Sequence, residues 1–212
     1  MANGVECLFV IPITQLPTGE PMIVDPTMLI TGIDECGRGC GAGPVVAAAV
    51  RFRVADLPGN ILDRLDDSKR LTARKRSWLA DQLRQHAELA VGAASVAEID
   101  QINIRQATFL AMRRAHDRLG RAGTCMVDGN DRPPLPDPLT MVVGGDALVP
   151  QISAASIIAK VVRDTLMARL SERYSGYGWN RNAGYLTPEH REGIKAAGLT
   201  AHHRRTFRLV AA

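Results

Sequence analysis

Four acidic residues stand where acids are hard to explain. Asp34 and Glu35 lie side by side after the apolar run MLITGI, Asp128 follows an apolar pair in MVDGN, and Asp164 sits within the helical pattern ISAASIIAKVVRD. A carboxylate is costly to bury unless it is paired or bound to a cation. Singly, two of these have ordinary readings. Asp128 before Gly129 is turn chemistry, and Asp164 follows Lys160 by one helical turn, the spacing of a surface ion pair. The double acid has no such reading. Taken as a set, oxygen ligands without a neighbouring His or Cys pair suit Mg²⁺ or Mn²⁺ rather than zinc. Two such ions about 4 Å apart can stabilise the attacking and leaving oxygens of a phosphodiester displacement.

The residues next to the double acid fit the same chemistry. Gly37, Arg38 and Gly39 allow close approach of backbone to a ligand, and successive N–H groups can hold anionic oxygens. The stretch is not a dinucleotide fingerprint, because Pro44 opens a strand where a helix would be required. A regular strand sends Asp34 and Glu35 to opposite faces, so a kink is expected to bring them to one site. Charge is distributed to match. The formal net charge is +4. Residues 160–212 hold ten Lys or Arg and four acids, a surplus of +6, which leaves −2 for the rest. A basic C-terminal stretch beside an acid pocket is the layout of a metal-dependent enzyme on a polyanion.

These residues need a scaffold. The 212 residues, 46% of them hydrophobic, suffice for one core. Residues 1–27, with four prolines, read as an extended or poorly ordered lead-in. Strands are expected at 28–34, 44–52, 88–96, 124–128 and 139–143, and helices at 72–86, 104–119 and 153–173. A Gly-rich aromatic loop follows over 174–185, then a short helix from Pro188. The order implies one α/β domain with a mixed sheet and a helical C-terminal extension. No apolar run is long enough to span a bilayer and no signal peptide is read. Four irregularly spaced cysteines, among them Cys36 and Cys40, fit free thiols in a reducing cytoplasm.

The segments GIDECGRG, DDSKRLT, MVDGN, ISAASIIAKVVRD, GYLTPEH and AHHRRTF occur in this order over residues 30–208. Together they resemble bacterial ribonuclease HII, the type 2 ribonuclease H family. The resemblance implies a ribonuclease H-like α/β fold, a five-stranded mixed sheet flanked by helices. Residues 28–212 would form a single catalytic domain, with 175–212 as its substrate-binding extension. It implies an endonuclease that cuts the RNA strand of RNA–DNA hybrids and nicks duplex DNA 5′ to embedded ribonucleotides, leaving 3′-hydroxyl and 5′-phosphate ends. Its roles would be ribonucleotide removal from DNA and RNA primer removal.

By the same resemblance Asp34, Glu35, Asp128 and Asp164 hold two Mg²⁺ or Mn²⁺ ions with substrate bound. The Gly37–Arg38–Gly39 backbone reads the ribose 2′-hydroxyl. Tyr185 contacts that hydroxyl and stacks on the next deoxyribose. Lys160, Arg204 and Arg205 are expected at phosphates. The expected state is a cytoplasmic monomer with no membrane contact. Ribonuclease HIII is the alternative within the fold, set aside because about 27 lead-in residues cannot supply its extra N-terminal domain. A hybrid-binding module without catalysis is the alternative outside enzymes. The intact acid quartet argues against it, since unneeded clustered acids repel.

Overall fold

The computed structural model describes residues 9–11, 22–66, 68–120, 123–136 and 138–209. Residues 1–8 and 12–21 of the lead-in, Asp67 of the DDSKR stretch and residues 210–212 of the C-terminal RTFRLVAA lie outside the described residues. Part of the lead-in is regular. Strand β1 (Phe9–Ile11) pairs antiparallel with β2 (Met22–Val24), and Val24 is buried among Ile30, Met126 and Ile152.

The main sheet contains β3 (Ile30–Cys36), β4 (Val45–Phe52), β5 (Glu88–Ala94), β6 (Thr124–Asp128) and β7 (Leu139–Val142), in the spatial order β5-β4-β3-β6-β7. The first three strands of this sheet, β3, β4 and β5, pair antiparallel in sequence, while β6 runs parallel to β3 and β7 parallel to β6. The expected mixed five-stranded sheet is present. Every residue of β4 is buried, which explains its near-continuous apolar sequence. Val45, Ala47 and Ala49 face α3 (Val96–Leu119), and Ala48, Val50 and Phe52 face α2 (Ala73–His86) and α4 (Pro150–Arg173). Small residues let these helices lie close. On β5 a side chain at Gly92 would overlap the α3 backbone at Ala111, and on β3 one at Gly32 would overlap the α4 backbone at Gln151 and Ile152. Short helices α1 (Gly59–Leu62) and α5 (Trp179–Asn182), with α6 (Pro188–Ala197), complete the α-helices among the described residues.

The boundaries differ from expectation most at β5 and α3. Strand β5 ends at Ala94, and the helix begins at Val96 rather than Ile104. Ser95 and Glu98 form a reciprocal capping box, with Oγ accepting the Glu98 N–H at 3.2 Å and Oε2 accepting the Ser95 N–H at 2.8 Å. Asn103 then interrupts the helix at φ +66°, and its Oδ1 accepts the Gln106 N–H at 3.1 Å as a second cap. The expected start at Ile104 marks this second segment. Helix α4 starts three residues earlier than expected, with Pro150 in its first turn. The C-terminal elements fold onto α4 through a cluster of Ala42, Met167, Tyr177, Trp179, Ile194 and Leu209. No described helix is long and apolar enough to cross a membrane.

Candidate active site

The parallel register of β3 and β6 pairs Ile33 with Val127, so Asp34 and Asp128 come next at the same sheet edge. The kink expected between Asp34 and Glu35 is absent. Strand β3 keeps its register with β4 through Cys36, and the first positive φ is at Gly37, +97°. The two acids therefore alternate as strand residues do. Asp34 turns toward Ser156 of α4, and Glu35 shares a small cleft with Thr108 and Phe109 of α3 and with Asp128. The strand end, not a kink, brings both near Asp128.

Asp34 is 5% exposed, and its Oδ1 accepts the Glu35 N–H at 2.7 Å. Asp128 Oδ1 accepts the Gly145 N–H at 2.7 Å. Burial pushes the Asp34 carboxyl well above the usual carboxylate range, and the Glu35 and Asp128 charges add to it. Burial also raises Glu35, with the Arg38 guanidinium opposing and Asp128 reinforcing the shift. Buried, mutually repelling carboxylates of this kind suit a hard cation, whose charge offsets both effects. Asp164 is held otherwise. Its Oδ1 takes Lys160 Nζ at 2.7 Å, and its Oδ2 faces Arg76 Nη2 at 3.7 Å. Among the described residues no three metal-capable side chains are drawn into a ready cage. Asp34, Glu35 and Asp128 adjoin one another, and the fourth acid is neutralised by its own cations.

An open cleft of about 450 Å³ runs from Glu35, lined also by Arg38, Gly39, Ser156, Lys160 and Tyr185 among others. Another, of about 500 Å³, contains Asp164, Arg76, Lys160 and Tyr185. Arg38 is exposed and reaches Glu35 at 3.5 Å, while Tyr185 is 45% exposed and stands over Gly39. The loop after β3 is fixed from within. Arg204, expected at a phosphate, has no exposed surface. It donates to the carbonyls of Gly37, Arg38 and Gly43 at 2.6, 2.8 and 3.0 Å. That expectation is corrected, because a guanidinium enclosed by carbonyls cannot reach a bound phosphate. Arg205 is exposed, but it does not line either cleft, and its backbone N–H donates to Asp100 at 3.0 Å. Lys160 lines both clefts.

Tyr185 is held by a chain of neutral histidines. Thr200 N–H donates to His203 Nδ1 at 2.9 Å, which leaves the His203 proton on Nε2. That atom lies 3.2 Å from His190 Nε2, which also receives Trp179 Nε1–H at 3.0 Å. His190 must then carry its proton on Nδ1, 2.9 Å from the Tyr185 carbonyl oxygen. Burial lowers both histidines, His203 to about 4, in keeping with neutral rings.

Sequence reading missed Arg163, which is fully buried and donates to the carbonyls of Ala42, Pro44 and Ala183 at 3.0, 3.0 and 2.8 Å. It also missed Arg76, which donates to the Ser68 carbonyl at 2.9 Å and faces Asp164. An arginine within an otherwise apolar helical face was the one available signal for Arg163. Cys36 and Cys40 are free, and burial pushes the Cys36 thiol up to about 11.

Comparison with known proteins gives a consistent answer. A protein-family model, ribonuclease HII, matches residues 31–210. The chain is 55% identical over 184 residues to a ribonuclease HII of Paramagnetospirillum magneticum, covering 86% of this chain and 92% of that one. It is 54% identical over 182 residues to one from Gluconobacter oxydans, covering 84% and 87%. Among solved structures it resembles the ribonuclease H2 of Pyrococcus horikoshii, at 25% identity and a TM-score of 0.74, over 86% of this chain and 95% of that one. It also resembles the Archaeoglobus fulgidus ribonuclease HII solved in a complex with PCNA, at 26% identity and a TM-score of 0.69, over 87% and 98%.

Proposed function

The chain belongs to the ribonuclease HII family, hydrolases that cut the RNA strand of RNA–DNA hybrids, and from that premise we propose that it also nicks duplex DNA 5′ to a single embedded ribonucleotide. The observation that carries this reading is one juxtaposition. Buried Asp34 and its neighbours Glu35 and Asp128 end two parallel strands beside an open cleft whose wall is Gly37–Arg38–Gly39 and Tyr185.

Only a 2′-hydroxyl separates RNA from DNA at a given sugar. Glycine backbone approaches such a group closely, and the half-exposed Tyr185 ring can pack on the next deoxyribose. Asp34, Glu35, Asp128 and Asp164 would hold Mg²⁺ or Mn²⁺. Bound there, two divalent ions would activate the attacking water and stabilise the leaving 3′-oxygen. The residues' own part is positional. Gly145 N–H and Glu35 N–H orient the Asp128 and Asp34 carboxylates, and Lys160 and Arg76 hold Asp164 at the cleft wall. Lys160 and Arg38 supply cationic groups for the phosphates. The products would carry 3′-hydroxyl and 5′-phosphate ends, as expected for ribonucleotide and primer removal by a cytoplasmic monomer.

The test uses an end-labelled duplex with one ribonucleotide, incubated with Mg²⁺, Mn²⁺ or chelator. Cleavage 5′ to the ribonucleotide, with metal only, is expected. Cutting of the all-DNA duplex, or cleavage that persists in chelator, would refute the reading.

A further inference from the structure

We propose that Arg204 is a positioning residue, one that aims the Arg38 and Gly39 N–H groups at the substrate. The inference rests on the reading above, in which this backbone recognises the ribose. It begins from the odd placement of the side chain. Arg204 is fully buried, and its side-chain hydrogen bonds to Gly37, Arg38 and Gly43 all end on main-chain carbonyls rather than a carboxylate. Two of those carbonyls, of Gly37 and Arg38, are consecutive, and they are bridged by the two terminal nitrogens of one guanidinium.

A trans peptide is planar, with its C=O and N–H pointing in opposite directions. The Gly37 carbonyl belongs to the peptide that carries the Arg38 N–H. The Arg38 carbonyl belongs to the peptide that carries the Gly39 N–H. Holding both carbonyls inward therefore turns both N–H groups outward, to the side of the loop that lines the cleft with Glu35 and Tyr185. Gly37 is the hinge of this arrangement, since its φ of +97° begins the turn out of β3. Arg204 remains cationic at neutral pH, because burial lowers it only to about 10. A cation on the carbonyl side polarises the peptide and strengthens the opposite N–H as a donor. The backbone of Arg204 reinforces the contact, its own N–H donating to the Gly41 carbonyl at 2.9 Å. Arg163 grips the same loop further on, at Ala42 and Pro44, whose peptides do not carry the two N–H groups concerned.

A lysine keeps the charge but lacks the planar fork that spans two adjacent carbonyls. Arg204→Lys should therefore leave affinity for an all-DNA duplex at the wild-type level. Its single-turnover rate at a lone ribonucleotide, with saturating enzyme, should fall about 10²-fold, the scale of an ångström-sized misplacement. Thermal melting fixes the folded fraction, and the rate is taken per folded molecule. In ¹⁵N-labelled protein the amide resonances of Arg38 and Gly39 should move, while those of residues 30–33 in β3 stay in place. An unchanged rate per folded molecule, or unmoved Arg38 and Gly39 amides, would overturn the proposal. If the wild type itself fails to cut at a ribonucleotide, the functional reading falls. The positioning claim is then decided by the amides alone.

Discussion

Replacing Asp34 with Asn should stabilise the protein while ending its activity. The substitution is nearly isosteric, and the amide oxygen can still accept the Glu35 N–H that Asp34 Oδ1 receives at 2.7 Å. What it removes is a buried charge. Burial, then Glu35 and Asp128, hold this carboxyl well above its ordinary value of 3.8. A carboxyl raised in the folded state favours the fold below its unfolded pKa, and that advantage is lost as the pH climbs through the folded value. At neutral pH without metal the wild type is therefore destabilised relative to the variant. An imperfectly matched buried polar group costs about 1–3 kcal/mol. For a chain of this size that range corresponds to a rise in Tm of about 2–12 °C. Thermal denaturation in chelator at pH 7.5 and again near pH 4 measures it, with the gap closing at the acid end. Mg²⁺ should raise the Tm of the wild type and not that of the variant. A variant that melts at or below the wild type at pH 7.5 in chelator would refute the reasoning, as would a gap that widens on acidification.

Asp128→Asn should abolish single-turnover cleavage with the fold intact, and Asp164→Asn should be milder, since a helix-borne amide still offers one oxygen; near wild-type turnover of Asp128→Asn would remove it from the metal site. Tyr185→Ala should lower cleavage at a lone ribonucleotide more than it lowers duplex binding, with Tyr185→Phe between them because it keeps the packing and loses a hydrogen bond of about 0.5–1.5 kcal/mol; equal rates for all three proteins on that duplex and on a long hybrid would make Tyr185 a packing residue only. The Cys36→Ala/Cys40→Ala double variant should stay active, and the wild-type Cys36 thiol, raised by burial to about 11, should alkylate slowly at pH 8; stoichiometric zinc that disappears in the double variant would contradict this.

Much of the fold, and the acids of the candidate site, are legible in the sequence for separate physical reasons. The strands were legible because β4 and β6 are short apolar runs bounded by turn residues, and α2 because Thr72 caps it, with Oγ1 accepting the Lys75 N–H at 3.3 Å. Asp34, Glu35 and Asp128 were legible because an acid at the end of an apolar strand conflicts with its surroundings. The start of α3 was missed although Ser95 and Glu98 spell a capping box, because the β-like run before it masked the signal. The roles of Arg204 and Arg163 were illegible for a deeper reason. A buried guanidinium bonded to carbonyls depends on peptides about 120–170 positions away in the chain, and nothing local distinguishes it from a phosphate-binding arginine.

Gly32 has no side chain, yet it sets the distance between β3 and α4. Its hydrogen lies where any β-carbon would collide with the backbone of α4 at Gln151 and Ile152. The same helix presents Ser156, Lys160 and Asp164 at four-residue intervals, one face on successive turns. Two positions further along β3 from Gly32 is Asp34. The span from the first acid to the fourth is thus gauged by contact between two backbones, as a spacer of zero thickness gauges a slot. Adding a methyl group at position 32 would lever α4 outward at its first turns and carry Lys160 and Asp164 with it, changing the gap between Asp34 and Asp164. A residue with no side chain to contribute thereby sets the spacing between a strand and a helix.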